Sequence, residues 1–197
     1  MAALGITPHT PSQELEIVIS NILSGGPAMI PANDYLLHFI ETEAAWGGAL
    51  GLFDCTNIQI RYFAANIVYT KVKKHWVQLN EAQQQEIFVY LLEYITQASV
   101  NAGDNKIFLD RVLLCLSCVC CRSNGGVSSF VNTALDKINT TPMDYSQILS
   151  GLNMLCVLPS EAELLDVGRT LRVNLQSELL QSGTAVLSKI NESFYID

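Results

Sequence analysis

The sequence predicts an all-α fold, a right-handed α-solenoid of paired helices. Three observations carry that expectation. Apolar residues recur at threes and fours along most of the chain, the period of a single buried helix face. Strand signals are close to absent, with no Asn-Gly hairpin between alternating runs and no sustained period of two. Helix-start signals are abundant, and the runs they open are joined by short polar turns.

Thr10, with Pro11 at the first helical position and Gln13 completing a capping box, opens the first helix. Leu15, Val18, Ile19, Ile22 and Leu23 form its inward face. Ser24 to Pro31 reads as a loop by composition. Asn33 is expected to cap a short helix with Tyr35, Leu36, Phe39 and Ile40 inward. A third runs from Glu43 to Phe53 on Trp46, Leu50 and Phe53, with Gly47, Gly48 and Gly51 allowing close packing. The most legible helix follows, capped by Thr56 with Gln59, its face made by Ile60, Phe63, Ala64, Ile67, Val68, Val72 and Trp76. Lys71, Lys73 and Lys74 suit the negative end of its dipole.

Asn80 with Gln83 starts a helix on Ile87, Phe88, Leu91, Leu92 and Ile95. Asn101 to Asn105 is a turn. The next helix is apolar nearly all round, through Ile107, Leu109, Val112, Leu113, Leu116, Val119 and Cys120, and should be buried. After Ser123–Gly126 comes a face of Val127, Phe130, Val131, Leu135 and Ile138. Thr141 and Pro142 open a helix on Tyr145, Ile148, Leu149, Leu152, Leu155 and Cys156, which Pro159 should stop. Ser160 with Glu163 caps the next, and the last begins at Gly183. Helix pairs recur at roughly forty residues, the period of HEAT and armadillo units, which implies about five repeats. A globular bundle would fit the helix count as well; the regular alternation favours the solenoid.

The chain has 197 residues and a net charge of −8, so a phosphate backbone is a poor direct ligand and a basic partner is easier to accommodate. No apolar run is long enough for membrane insertion. The start of the chain lacks a secretory pattern, and Cys115, Cys118, Cys120 and Cys121 crowd one apolar segment, so a reducing compartment is expected. Those four thiols raise the question of zinc, but they lack two separated knuckles and a nearby His. The plainer reading is cysteine as a small hydrophobe in a helix seam. His9, His38 and His75 are scattered, and no phosphate-binding glycine loop or nucleophile elbow occurs. The expectation is a protein that is not an enzyme and needs no cofactor.

The segments EAAWGGALGLF and IRYFAANIVYTKVKKHWVQL resemble the N-terminal region of the importin-β superfamily of nuclear transport receptors. Trp46, Arg61, Tyr62, Phe63, Ala64, Ala65, Trp76 and Leu79 carry the resemblance, and it centres on about residues 33–100. FLDRVLLCLSCVCCRS and ILSGLNMLCVLPSEAELLDVG are similar to later segments of the transportin-3 and importin-13 branch, with Ser160 where that branch has an acidic residue. The resemblance implies one HEAT-repeat segment over residues 1–197, part of a longer receptor that shuttles between cytoplasm and nucleus. It implies Ran-GTP and protein cargo as partners, with nucleoporin repeats as further ones. Polar stripes on the inner helices would then meet Ran: Asp34, His38 and Glu41 on the first, Asn66, Thr70 and Lys73 on the second, Asp110 and Ser117 flanking Leu114 on the third. A helical-repeat scaffold unrelated to Ran is the alternative, and the stripes are then solvated faces.

Overall fold

The computed structural model describes residues 10–97, 106–123, 125–138, 145–163 and 169–194. Every regular element among them is helical. In chain order they are α1 (Thr10–Ser24), α2 (Met29–Glu41), α3 (Ala44–Leu50), α4 (Ile58–His75), a 3₁₀ turn at Trp76–Gln78, α5 (Glu81–Gln97), α6 (Lys106–Cys120), α7 (Gly126–Ile138), α8 (Tyr145–Glu163) and α9 (Arg169–Phe194).

Two kinds of packing build the fold. Consecutive helices pair, α1 with α2, α3 with α4, α5 with α6 and α7 with α8. Next-but-one helices also pack, α1 on α3, α2 on α4, α4 on α6, α6 on α8 and α7 on α9. The even-numbered helices therefore form one row. Within it α4 and α6 run in the same direction, since Arg61 lies over the Phe108 ring at 4.3 Å and the Cys115 thiol donates to the Ala65 carbonyl at 3.3 Å. The aromatic centre is Phe53, edge-on to Tyr94 at 5.4 Å and to Phe108 at 5.3 Å, with Trp46 against Trp76 at 6.4 Å.

Two lysines tie these rows internally. Lys71, 2 % exposed, donates to the Thr42 carbonyl at the end of α2 at 2.8 Å and lies over Trp46. Lys137, near the end of α7, reaches the Thr96 carbonyl of α5 at 3.3 Å. Each places a cation on the negative end of an earlier helix, where it is favoured by the dipole. Lys71 is thus an interior residue, whereas the sequence grouped it with Lys73 and Lys74 as charges suiting the end of their own helix dipole.

Several helix ends differ from expectation. α2 begins at Met29, so Asn33 lies inside it. Gly25 and Gly26, at φ of 69° and 80°, open the four-residue connection 25–28, and Pro31 sits in the first helical turn, where a missing N–H costs nothing. α4 is capped by Asn57 rather than Thr56, its side chain accepting from Gln59 N at 2.9 Å. The Asn80–Gln83 box forms in both directions at 3.0 Å. The Asn101–Asn105 turn and the Thr141–Pro142 start lie outside the described residues.

Ile107 is exposed, because α6 presents Phe108 to the core instead. α8 buries Ser150, Gly151, Met154 and Leu158 and leaves Leu149, Leu152 and Cys156 exposed. The small residues choose this face: a Cβ at Gly151 would lie 2.5 Å from the Ala134 carbonyl, so α7 and α8 close on one another there. α8 also continues through Pro159 to Glu163, so no helix starts at Ser160, and α9 runs unbroken past Gly183.

Candidate protein-binding face

α4 turns Ile60, Ala64, Ile67, Val68 and Lys71 inward. Its remaining stripe, Tyr62, Asn66, Tyr69, Thr70 and Lys73, follows the helical period on the opposite side and is half-buried to exposed. Asn66 and Thr70 spend their polar groups on their own helix, Asn66 donating to the Tyr62 carbonyl at 3.0 Å and Thr70 to the Asn66 carbonyl at 2.9 Å. Lys73 stands over the Tyr69 ring at 5.1 Å. Beside this stripe, Arg111 of α6 lies 5.0 Å from the Tyr69 ring and 5.7 Å from the Tyr62 ring, within reach for cation–π attraction to both.

The stripe reaches a third helix. Tyr69 donates its hydroxyl to Glu161 of α8 at 2.9 Å, passing over α6. Burial and this carboxylate together push the Tyr69 phenol well above its ordinary value, so it stays a donor. Arg122 donates to the Cys118 carbonyl at 3.1 Å and to its sulfur at 2.8 Å. The face therefore gathers Lys73, Arg111 and Arg122 around one buried carboxylate, on a chain whose net charge is −8. No carboxylate among the described residues lies within ion-pair distance of Lys73 or Arg111.

Of the stripe residues expected from sequence, Asp34, His38 and Glu41 are exposed on α2, and Glu41 reaches His75 at 3.1 Å. Asp110 is exposed and paired with Lys106 at 2.9 Å. Ser117 is a correction. It is fully buried, with its hydroxyl on the Leu113 carbonyl at 2.9 Å, because α6 is enclosed by α4, α5, α7 and α8. Tyr62, Tyr69, Arg111 and Glu161 were not anticipated. Tyr62 and Tyr69 share the i, i+4, i+7, i+11 spacing with Asn66 and Lys73, which could have included them.

The four α6-region cysteines are buried. Burial pushes the Cys118 thiol up to about 11 and Cys121 to about 12, and raises Cys115 and Cys120 as well. Among the described residues no cluster of three or more His, Cys, Asp or Glu could hold a metal ion, and no helix is long and apolar enough to cross a membrane.

No protein-family model matches this chain, and no curated protein matches it. The face is therefore read from its own geometry. Two clefts flank it. One, of about 430 Å³, lies between α1, α4 and α6 and is lined by Leu23, Ile58, Tyr62, Phe63, Ile107 and Phe108. The other, of about 170 Å³, lies between α5, α6 and α8, on Leu109, Leu113, Leu149 and Met154.

Proposed function

We propose that this chain is a segment of a nuclear transport receptor of importin-β type, a right-handed solenoid of about five HEAT-like helix pairs that binds Ran-GTP along its even-numbered helices. The observation that carries the reading is the row α2, α4, α6 and α8, on which the polar and aromatic stripe of α4 lies beside Arg111 of α6. Stacked helix pairs use such a face to bind partners. The segments around Trp46 and Arg61–Leu79 that resemble the superfamily lie in α3, α4 and the turn after them, at the start of this row. Protein cargo and nucleoporin repeats are the further partners of the proposed receptor, which would move between cytoplasm and nucleus. Within it, small adjustments between stacked pairs would couple the Ran and cargo sites.

The test is binding of the chain to Ran loaded with GTP or with GDP, at physiological salt. Selective binding of the GTP form supports the receptor reading. Equal or absent binding by a chain that remains helical by circular dichroism overturns it and leaves a helical-repeat scaffold for another protein.

A further inference from the structure

The α4–α6 stripe has the opposite sign to the chain that carries it. Arg111 holds its guanidinium carbon 5.0 and 5.7 Å from two tyrosine rings, and no carboxylate among the described residues lies within ion-pair distance of it, so its planar fork has a carboxylate still to pair with. Lys73 adds a second cation, this one exposed, over the same Tyr69 ring. The neighbouring carboxylates are already committed: Glu161 accepts from Tyr69, and Asp110 pairs with Lys106. Tyr62 then links the charge to an apolar feature. Its ring lies under Arg111 and also lines the cleft of about 430 Å³. Ile107, 70 % exposed, stands at the edge of that cleft. Apolar seat and cationic shelf are therefore continuous.

We propose that this stripe docks an acidic segment of a partner protein, which seats one large apolar side chain in the cleft and lays its carboxylates on Arg111 and Lys73. Charge complementarity selects the occupant, since a basic segment would be repelled here while the rest of the acidic surface attracts it. The inference is independent of Ran: it concerns the chemistry of whatever segment lies on α4 and α6.

The experiment titrates the whole chain into a fluorescently labelled short peptide rich in glutamate and aspartate with one central phenylalanine. Three controls are run beside it: the same peptide with every acid replaced by its amide, the peptide with alanine for phenylalanine, and a single-stranded oligonucleotide of equal charge. The acidic peptide is expected to bind, with affinity falling as salt rises. The amide peptide should not bind, and the alanine peptide should bind several-fold more weakly. Arg111→Gln should weaken binding by roughly tenfold or more, and Lys73→Gln, a surface change that leaves the fold alone, by a smaller factor. Equal binding of the amide peptide, unchanged affinity in both variants, or tighter binding of the oligonucleotide would overturn the proposal. Ran binding measured on the same variants reads out separately, so either result can fail without the other.

Discussion

Tyr69 and Glu161, 92 positions apart, are joined by a hydrogen bond of 2.9 Å that spans α6 and ties α4 to α8. Glu161 is only 4 % exposed and sits two residues past Pro159, in the turn that a proline should have ended. The phenol supplies a donor to this buried carboxylate just past the proline. Tyr69→Phe keeps the ring on which Arg111 and Lys73 stack but removes the donor. It should destabilise the chain by about 2 kcal/mol, the usual cost of orphaning a buried polar group. Urea unfolding measures this directly. Glu161→Gln retains an acceptor for the phenol and should cost less; the reverse order would mean that the bond does not hold the turn.

The buried thiols set an alkaline limit on stability. In the unfolded chain they ionise from the ordinary value of 9.0, whereas in the fold Cys118 holds its proton to about 11 and Cys121 to about 12. Above pH 9 the unfolded chain therefore binds fewer protons than the folded one, and stability falls as pH rises. The contribution is complete below pH 9 and is lost across the window up to about 12, at roughly 1.4 kcal/mol per unit for each group. Unfolding midpoints taken at about pH 8 and about pH 10.5 should differ in that direction. Replacing Cys118 and Cys121 together by alanine should flatten the slope but not abolish it, because Cys115 and Cys120 remain.

Lys71 acts in the opposite sense over part of the same range. Burial lowers its pKa below the ordinary 10.5, with Glu41 and Glu43 pulling it back up. The unfolded chain then binds the extra proton, so this residue's contribution improves as pH rises towards 10.5. Lys71→Ala should steepen the alkaline loss. It should also cost about 3 kcal/mol at neutral pH, because it empties the space beside Trp46 and leaves the Thr42 carbonyl with only the long 3.4 Å bond from Ala45 N–H. Lys73→Ala, two residues further on and on the exposed side, should change stability by less than about 0.5 kcal/mol.

What could be read from sequence was local. The Asn80–Gln83 box needs two side chains three residues apart, and it forms as expected. The faces of α1, α4, α5 and α7 largely follow from their own apolar periodicity, with Leu23 of α1, expected inward, left exposed. The cap of α4 slipped by one residue because Thr56 and Asn57 are both good caps. The misreadings came from partners. Three leucines and an isoleucine argue for one side of α8, but Gly151 decides the packing against α7 from another. Ser117 looks like half of a polar stripe until four helices close around it. Tyr62, Tyr69, Arg111 and Glu161 come together only because α4, α6 and α8 lie side by side, and periodicity within one helix carries no information on its neighbour.

Two glycines test the packing from opposite sides. Gly151 and Gly183 both lie inside helices, α8 and α9, where alanine would be favoured over glycine by about 0.5–1 kcal/mol on backbone entropy alone. At Gly183 a Cβ meets nothing within 4 Å, so Gly183→Ala should realise that gain. At Gly151 a Cβ would press on the Ala134 carbonyl at 2.5 Å and on the Ile138 side chain at 2.8 Å. Backbone on α7 cannot give way as a flexible side chain can, so Gly151→Ala should force the two helices apart and cost about 1–3 kcal/mol net. Thermal unfolding of the two variants should therefore move in opposite directions. A destabilised Gly183→Ala would mean that the chain turns at Gly183, as the sequence suggested, rather than continuing as one helix. A stabilised Gly151→Ala would mean that α8 presents its leucine face to α7, and the exposed Leu149 and Leu152 would then belong to the core.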